Sequence, residues 1–131
     1  MNLETAPRIL VVEDNAALLG VLRFNLVRSG FRVDVAENGR IAWDTLTDSQ
    51  SGYDLIITDH QMPEMTGLEL CDRLRKMESY RSVPIILLTA KRLELDIEEV
   101  QKQFGLSAIY PKPFSPNKIV EQVQDLIASV N

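Results

Sequence analysis

Asp59 ends the run YDLIITD (residues 53–59), which reads as a strand covered on both faces yet finishing on a carboxylate. Pro63 and Gly67 then stiffen the turn that follows. Other apolar runs also end on polar groups: RILVVED on Glu13-Asp14, VPIILLTA on Thr89-Ala90, and SAIYPKP on Lys112-Pro113. In an open parallel sheet the carboxyl ends of the strands lie along one edge, where crossovers leaving in opposite directions open a crevice. Three carboxylates, a hydroxyl and an ammonium should therefore meet there. Two like charges about 4 Å apart repel by roughly 4 kcal/mol at an effective dielectric near 20. Lys112 offsets only one of the three negative charges. Proton sharing is one remedy. A hard divalent cation with oxygen ligands and free water positions is the better one, and magnesium suits it. Glu13, Asp14 and Asp59 are the candidate ligands. Taken singly, each residue has a plain role: Glu13 or Asp14 caps the first helix, Asp59 starts a turn, Thr89 is a strand residue and Lys112 lies on the surface. Four such coincidences at one end of a sheet are a different matter.

The elements that must position these groups alternate with little slack. A strand at 8–14 is followed by a helix over 15–29 with Gly30 as its left-handed stop. FRVDVAE (31–37) alternates apolar and polar, as a strand near a sheet edge does. Asn38-Gly39 leads into a helix holding Ile41, Ala42 and Leu46, and another helix runs from about Gly67 to Glu78. Pro84 suits the first position of the strand over 83–90. Leu93, Ile97, Val100 and Phe104 recur at helical spacing up to Gly105. Ser115-Pro116 reads as a cap and first turn, ahead of an apolar stripe of Ile119, Val120, Val123, Leu126, Ile127 and Val130. Five strand-then-helix units with right-handed crossovers place helices on both faces of one parallel sheet. With no repeat, linker or low-complexity segment, one domain spanning 1–131 is expected, its core at about 6–128.

Composition sets outer limits. The chain has 131 residues, enough to bury a core without disulfides or a structural metal. Its net charge of −5 disfavours nucleic acid as a direct partner. No apolar run approaches the roughly 20 residues of a membrane span. MNLETAPR has no basic head and apolar stretch of a secretion signal. Cys71 is the single cysteine, which fits a reducing, cytoplasmic setting and argues against a zinc site.

VVED, ITDHQMPEMTG, LLTA and KPF stand in this order, and together they make the chain resemble, over about residues 6–128, the receiver domain of two-component response regulators. The resemblance implies a flavodoxin-like sheet with strand order 2-1-3-4-5. It implies Asp59 as phosphoacceptor from a sensor-kinase phosphohistidine, with Lys112 on the phosphoryl oxygens and Thr89 swinging in to hydrogen-bond one of them. It further implies Mg2+ held by Asp14, Asp59 and the backbone carbonyl of Gln61, with Glu13 acting through a water, and a cis Lys112–Pro113 peptide. Implied partners are a sensor histidine kinase or phosphotransfer protein, and a downstream protein or covalently attached output domain, with no membrane contact. Such a switch assists only its own phosphorylation and dephosphorylation and is not an enzyme.

Two other readings compete. An aspartate-nucleophile phosphohydrolase usually carries a second Asp two residues after the nucleophile and a cap, but position 61 is Gln and no insertion is long enough for a lid. A pseudo-receiver used only for docking would have lost an acidic residue, and none is lost here. One departure from the family pattern is Ile109, where many receivers have an aromatic. Tyr110 should face the other side of the strand and cannot substitute for it.

Weaker signals have plain readings. His60 should point to solvent, and Arg73, Arg75, Lys76 and Arg81 should form a solvated helix face. Gln61 and Lys91 flank the reaction centre, positions that tune phosphoryl lifetime in the family. Trp43 lies off the core stripe as a partly exposed aromatic, and Cys71 is a small core residue. The first helix, with Leu18, Leu19, Val21, Leu22, Phe24 and Leu26, should present a wide core face, although in the family it also docks the kinase.

Overall fold

The computed structural model describes residues 5–48, 52–90 and 96–130. Strands β1 (Arg8–Val12), β2 (Arg32–Ala36), β3 (Leu55–Asp59), β4 (Ile85–Thr89) and β5 (Ala108–Pro111) form one all-parallel sheet in the order β2-β1-β3-β4-β5. Helices α1 (Ala16–Arg28), α2 (Gly39–Thr47), α3 (Gly67–Arg75), α4 (Ile97–Phe104) and α5 (Pro116–Val130) alternate with them. This is the flavodoxin-like doubly wound architecture expected from the sequence. FRVDVAE supplies an edge strand, while β3 and β4 are buried throughout.

Strand alternation divides the core in two. Leu10, Val12, Ile56, Ile85 and Leu87 face one side and pack with Ala42, Leu46, Leu70, Leu74 and Val100 of α2, α3 and α4. Ile9, Val11, Leu55, Ile57, Ile86 and Leu88 face the other and pack with Leu22, Leu26, Ile119 and Val123 of α1 and α5. The crossovers after β1 and β3 therefore leave to opposite faces. The crevice opens between these two neighbouring strands, at their carboxyl ends.

Side chains set the helix limits. Asn15 accepts from the Leu18 N–H at 3.0 Å, Asn38 from Ile41 at 2.8 Å and Asp96 from Glu99 at 3.1 Å. Thr66 and Glu69 form a reciprocal capping box at the start of α3. Gly105, at φ 61°, closes α4 in the left-handed region.

Three local expectations are corrected. The third helix stops at Arg75 instead of about Glu78. The next amides tighten onto carbonyls three residues back, Lys76 onto Arg73 at 3.3 Å and Met77 onto Leu74 at 3.0 Å, and a 3-10 turn follows at Glu78–Tyr80. The core face of α1 is narrow: only Leu22 and Leu26 are fully buried, while Val21, Phe24 and Val27 are 43, 64 and 52 % exposed. Arg75 does not belong to a solvated face. Its guanidinium is half-buried and donates to the carbonyls of Phe104, Gly105, Tyr80 and Arg81 at 2.8–3.2 Å, joining α3 to the α4–β5 corner. Burial lowers its pKa. Lys91 and Leu93 lie outside the described residues, as does the side chain of Val130.

Candidate phosphoacceptor site

Register brings the strand-end groups together. Val12 pairs with Thr58, Asp59 with Leu88, and Thr89 with Pro111, so Glu13, Asp59, Thr89 and Lys112 all fall on one edge. The Glu13 N–H donates to Ala36 O at 3.1 Å, extending the β1 pairing by one residue and directing a wholly buried carboxylate inward. Asp14 follows, exposed at the rim. Asp59 is 1 % exposed and accepts from the His60 N–H at 3.0 Å.

Lys112 arrives from the other end of the chain. Its N–H is anchored on Thr89 O at 2.7 Å, and Nζ donates to both oxygens of Glu13 at 3.1 Å while standing 3.2 Å from Asp59 Oδ1. The Lys112–Pro113 peptide is cis. One ammonium is thus shared between two buried carboxylates. Burial raises the pKa of Glu13, with the Asp59 charge adding to the rise and Lys112 opposing it. Burial likewise raises that of Asp59, against Lys112 and reinforced by Asp14. Burial also works against the Lys112 charge, but the Glu13 hydrogen bonds and the Asp59 carboxylate outweigh it and hold its pKa high. The ammonium gains from the arrangement, while each carboxylate remains uncomfortable.

That imbalance bears on metal binding. One oxygen from each of Glu13, Asp14 and Asp59 lies within 4.8 Å of the others, an all-carboxylate set open to water at Asp14. Hard oxygen donors with too little positive charge suit a magnesium ion. Beside them the buried Thr89 Oγ1 has no hydrogen-bond partner, although buried hydroxyls are nearly always satisfied. The site thus has both surplus negative charge and an unused donor.

The turn after β3 is held by sterics. A Cβ on Gly67 would lie 2.3 Å from Asp59 O and 2.9 Å from His60 Cα, so only glycine lets α3 start this close. The Gly67 N–H donates back to His60 O at 2.9 Å. Glu64 takes φ 70°, a left-handed residue inside the turn that the sequence did not announce. A cleft of about 630 Å³ opens beside the carboxylates, lined by Asn15, Leu18, Val21, Ala90, Lys112 and Phe114.

Several weaker expectations are resolved here. His60 does not point freely to solvent: it is partly buried, and Nδ1 accepts from the Leu68 N–H of α3 at 3.4 Å. Burial depresses its pKa against the opposing charges of Asp59 and Glu69. Ile109 and Tyr110 do face opposite sides of the sheet, and the Tyr110 hydroxyl pairs with Gln122 at 3.1 Å. Trp43 is partly buried beneath the Arg73 guanidinium, 5.5 Å from the ring centroid. Cys71 is fully buried, and burial pushes its thiol up to about 12. Gln61 flanks the site as expected, and its side chain has a partner the sequence did not announce: its Oε1 accepts from the Ala90 N–H at 3.1 Å.

The family model for the response regulator receiver domain matches residues 9–124. A chemotaxis protein CheY homolog of Campylobacter jejuni is 33 % identical over 123 residues, covering 93 % of each chain. The transcriptional regulatory protein ResD of Bacillus subtilis is 37 % identical over 128 residues, which are 97 % of this chain but 50 % of ResD. Among solved structures, the receiver domain of a signal transduction histidine kinase from Syntrophus aciditrophicus superposes with a TM-score of 0.83 at 33 % identity, covering 96 % of this chain and 93 % of that one. Chemotaxis response regulator CheY4 of Vibrio cholerae gives 0.83 at 27 % identity, covering 93 % of this chain and 99 % of that one.

Proposed function

This chain belongs to the response regulator receiver domain family, and from that premise we propose that it is a phosphorylatable switch with Asp59 as its phosphoacceptor. The observation that carries the reading is the single Lys112 ammonium shared by Glu13 and Asp59, with Asp14 beside them. An Asp59 oxygen attacks the phosphorus of a donor phosphohistidine. The new P–O bond forms as the P–N bond breaks, and the electron pair leaves on the imidazole nitrogen, which takes up a proton. Little covalent work is asked of the protein; placement and charge neutralisation do most of it. Asp14, Asp59, the Gln61 backbone carbonyl and, through a water, Glu13 would hold Mg2+, which when bound neutralises charge on the transferring group.

The remaining work falls to side chains. Lys112 exchanges its carboxylate contacts for phosphoryl oxygens. Thr89 turns its unused hydroxyl toward the new dianion and so reports that the site is charged. The donor is a sensor histidine kinase or phosphotransfer protein approaching over α1, where Val21 lines the cleft and Phe24 and Val27 stand exposed farther along the helix. The output is a downstream protein or an attached domain; matches to relatives of similar length and to relatives twice as long accommodate either. No helix among the described residues is long and apolar enough to cross a membrane, and a cytoplasmic site of action is part of this proposal.

Incubation with a small phosphodonor and magnesium, followed by intact mass, tests the reading. One added phosphoryl group, absent from Asp59→Asn, is expected. Turnover of the donor without accumulation would indicate a hydrolase, and neither result would leave a docking module.

A further inference from the structure

His60 stands between two groups that the magnesium reading uses, the Asp59 carboxylate before it and the Gln61 carbonyl after it. Its backbone is fixed on both sides: its N–H donates to Leu88 O at 2.8 Å, and its carbonyl accepts from the Gly67 N–H at 2.9 Å. The imidazole adds a bond across the same gap, Nδ1 accepting from the Leu68 N–H at 3.4 Å. Residues 61–66 thus form a loop whose neck is closed by His60 on one side and the first turn of α3 on the other. Met62 and Met65 pin the inside of that loop in the core, being 8 and 7 % exposed. Glu64 is nonetheless held in the left-handed region at φ 70°, with the Met65 N–H on Pro63 O at 2.8 Å across it. Strain of this kind in a non-glycine residue persists where the surroundings over-determine the backbone, and it gathers at ligand clamps.

We infer that His60 is a positioning residue: its neutral imidazole closes this loop and so presets the Gln61 carbonyl for the cation. The inference rests on the magnesium reading of the Asp59 site and adds a side chain that touches neither the ion nor the phosphoryl group. Groups that orient a metal's ligands tune its affinity from outside the coordination sphere. Without the imidazole the Leu68 N–H, partly buried at the start of α3, loses its acceptor. The neck then keeps only the backbone bond between His60 and Gly67. The lost bond is single, neutral and long, so magnesium binding should weaken by about three-fold.

The test uses the full chain at pH 8, read by NMR. In the unaltered chain Nδ1 should be bare and the imidazole proton should sit on Nε2, which long-range proton–nitrogen correlation shows without any variant having to fold. His60→Asn keeps an acceptor near the place of Nδ1, while His60→Leu keeps bulk and removes it. Exchange of the Leu68 amide proton with water should be about three-fold faster in His60→Leu, unchanged at Ile57, and near the original rate in His60→Asn. Titration with magnesium chloride, followed by the amide shift of Asp14, should give a midpoint about three-fold higher in His60→Leu and near the original in His60→Asn. A proton on Nδ1, or equal Leu68 exchange in all three chains, overturns the neck bond. Faster exchange with an unchanged midpoint, or an equal rise in both variants, overturns the positioning role. No response of the unaltered chain to magnesium overturns the magnesium reading and the inference with it, and that failure is visible before any variant is compared.

Discussion

Replacing Asp59 by asparagine should make the metal-free chain more stable. Repulsion between unit charges no more than 4.8 Å apart is at least about 3.5 kcal/mol at an effective dielectric near 20, and Asp59 has two such neighbours, Glu13 and Asp14. Attraction to Lys112 at 3.2 Å returns about 5 kcal/mol. Exposure of Asp14 weakens its share, but removal of the Asp59 carboxylate from water adds a further penalty. A net cost of about 2 kcal/mol remains for the ionised group. Asparagine removes the charge yet keeps an oxygen for the His60 N–H and for Lys112, whose bonds to Glu13 are untouched.

At neutral pH in EDTA, thermal unfolding of Asp59→Asn should therefore rise by about 5–10 °C. The sign of the pH dependence follows from the raised folded-state pKa of Asp59. Its contribution to stability is fully present below the unfolded value of 3.8 and is lost as pH rises through the higher folded value. The gap between the two chains should thus be widest at neutral pH and close on acidification, where protonated Asp59 resembles Asn. Magnesium should raise the transition of the original chain more than that of the variant. An Asp59→Asn chain no more stable than its parent at pH 7 in EDTA would refute the crowded-charge account.

Lys112→Met should destabilise the chain by about 2–3 kcal/mol in urea unfolding, below the full cost of breaking a buried pair because the lysine side chain is 28 % exposed. The deficit should shrink as pH falls, since Glu13 and Asp59, both already raised, can then be neutral. Gly67→Ala should cost about 3 kcal/mol, because its Cβ meets backbone atoms of Asp59 and His60 that cannot turn aside; calorimetry of the purified chain measures this. Arg75→Met should cost about 2–3 kcal/mol in urea unfolding, with amide exchange rising at the α4–β5 corner, as carbonyls lose a charged donor.

Buried strands and helix stripes announce themselves through hydrophobic periodicity, a property of neighbouring residues. The five strand-helix units, the edge position of FRVDVAE and the two-sided burial of LIITD were therefore legible in sequence. So were the stops at Gly30 and Gly105, which the backbone places at positive φ. The strand-end residues Glu13, Asp14, Asp59, Thr89 and Lys112 were legible too, because a parallel sheet aligns its carboxyl ends. What those groups do to one another was settled only by tertiary structure. Lys112 is 99 residues from Glu13, and its sharing between Glu13 and Asp59 depends on strand register and side-chain reach. Nothing in its neighbours separates Arg75 from Arg73 or Lys76, yet carbonyls at the corner after α4 take Arg75 out of solvent. Apolar content likewise promised α1 a wide buried face, but the sheet and α5 can cover only one side, which leaves Phe24 outside. The hydrogen bond from Ala90 to Gln61 has the same origin, two residues just past the ends of β3 and β4 made neighbours by the pairing of those strands. Local pattern determined which residues lie at the sheet edge; distance in space decided which of them share a charge or a proton donor.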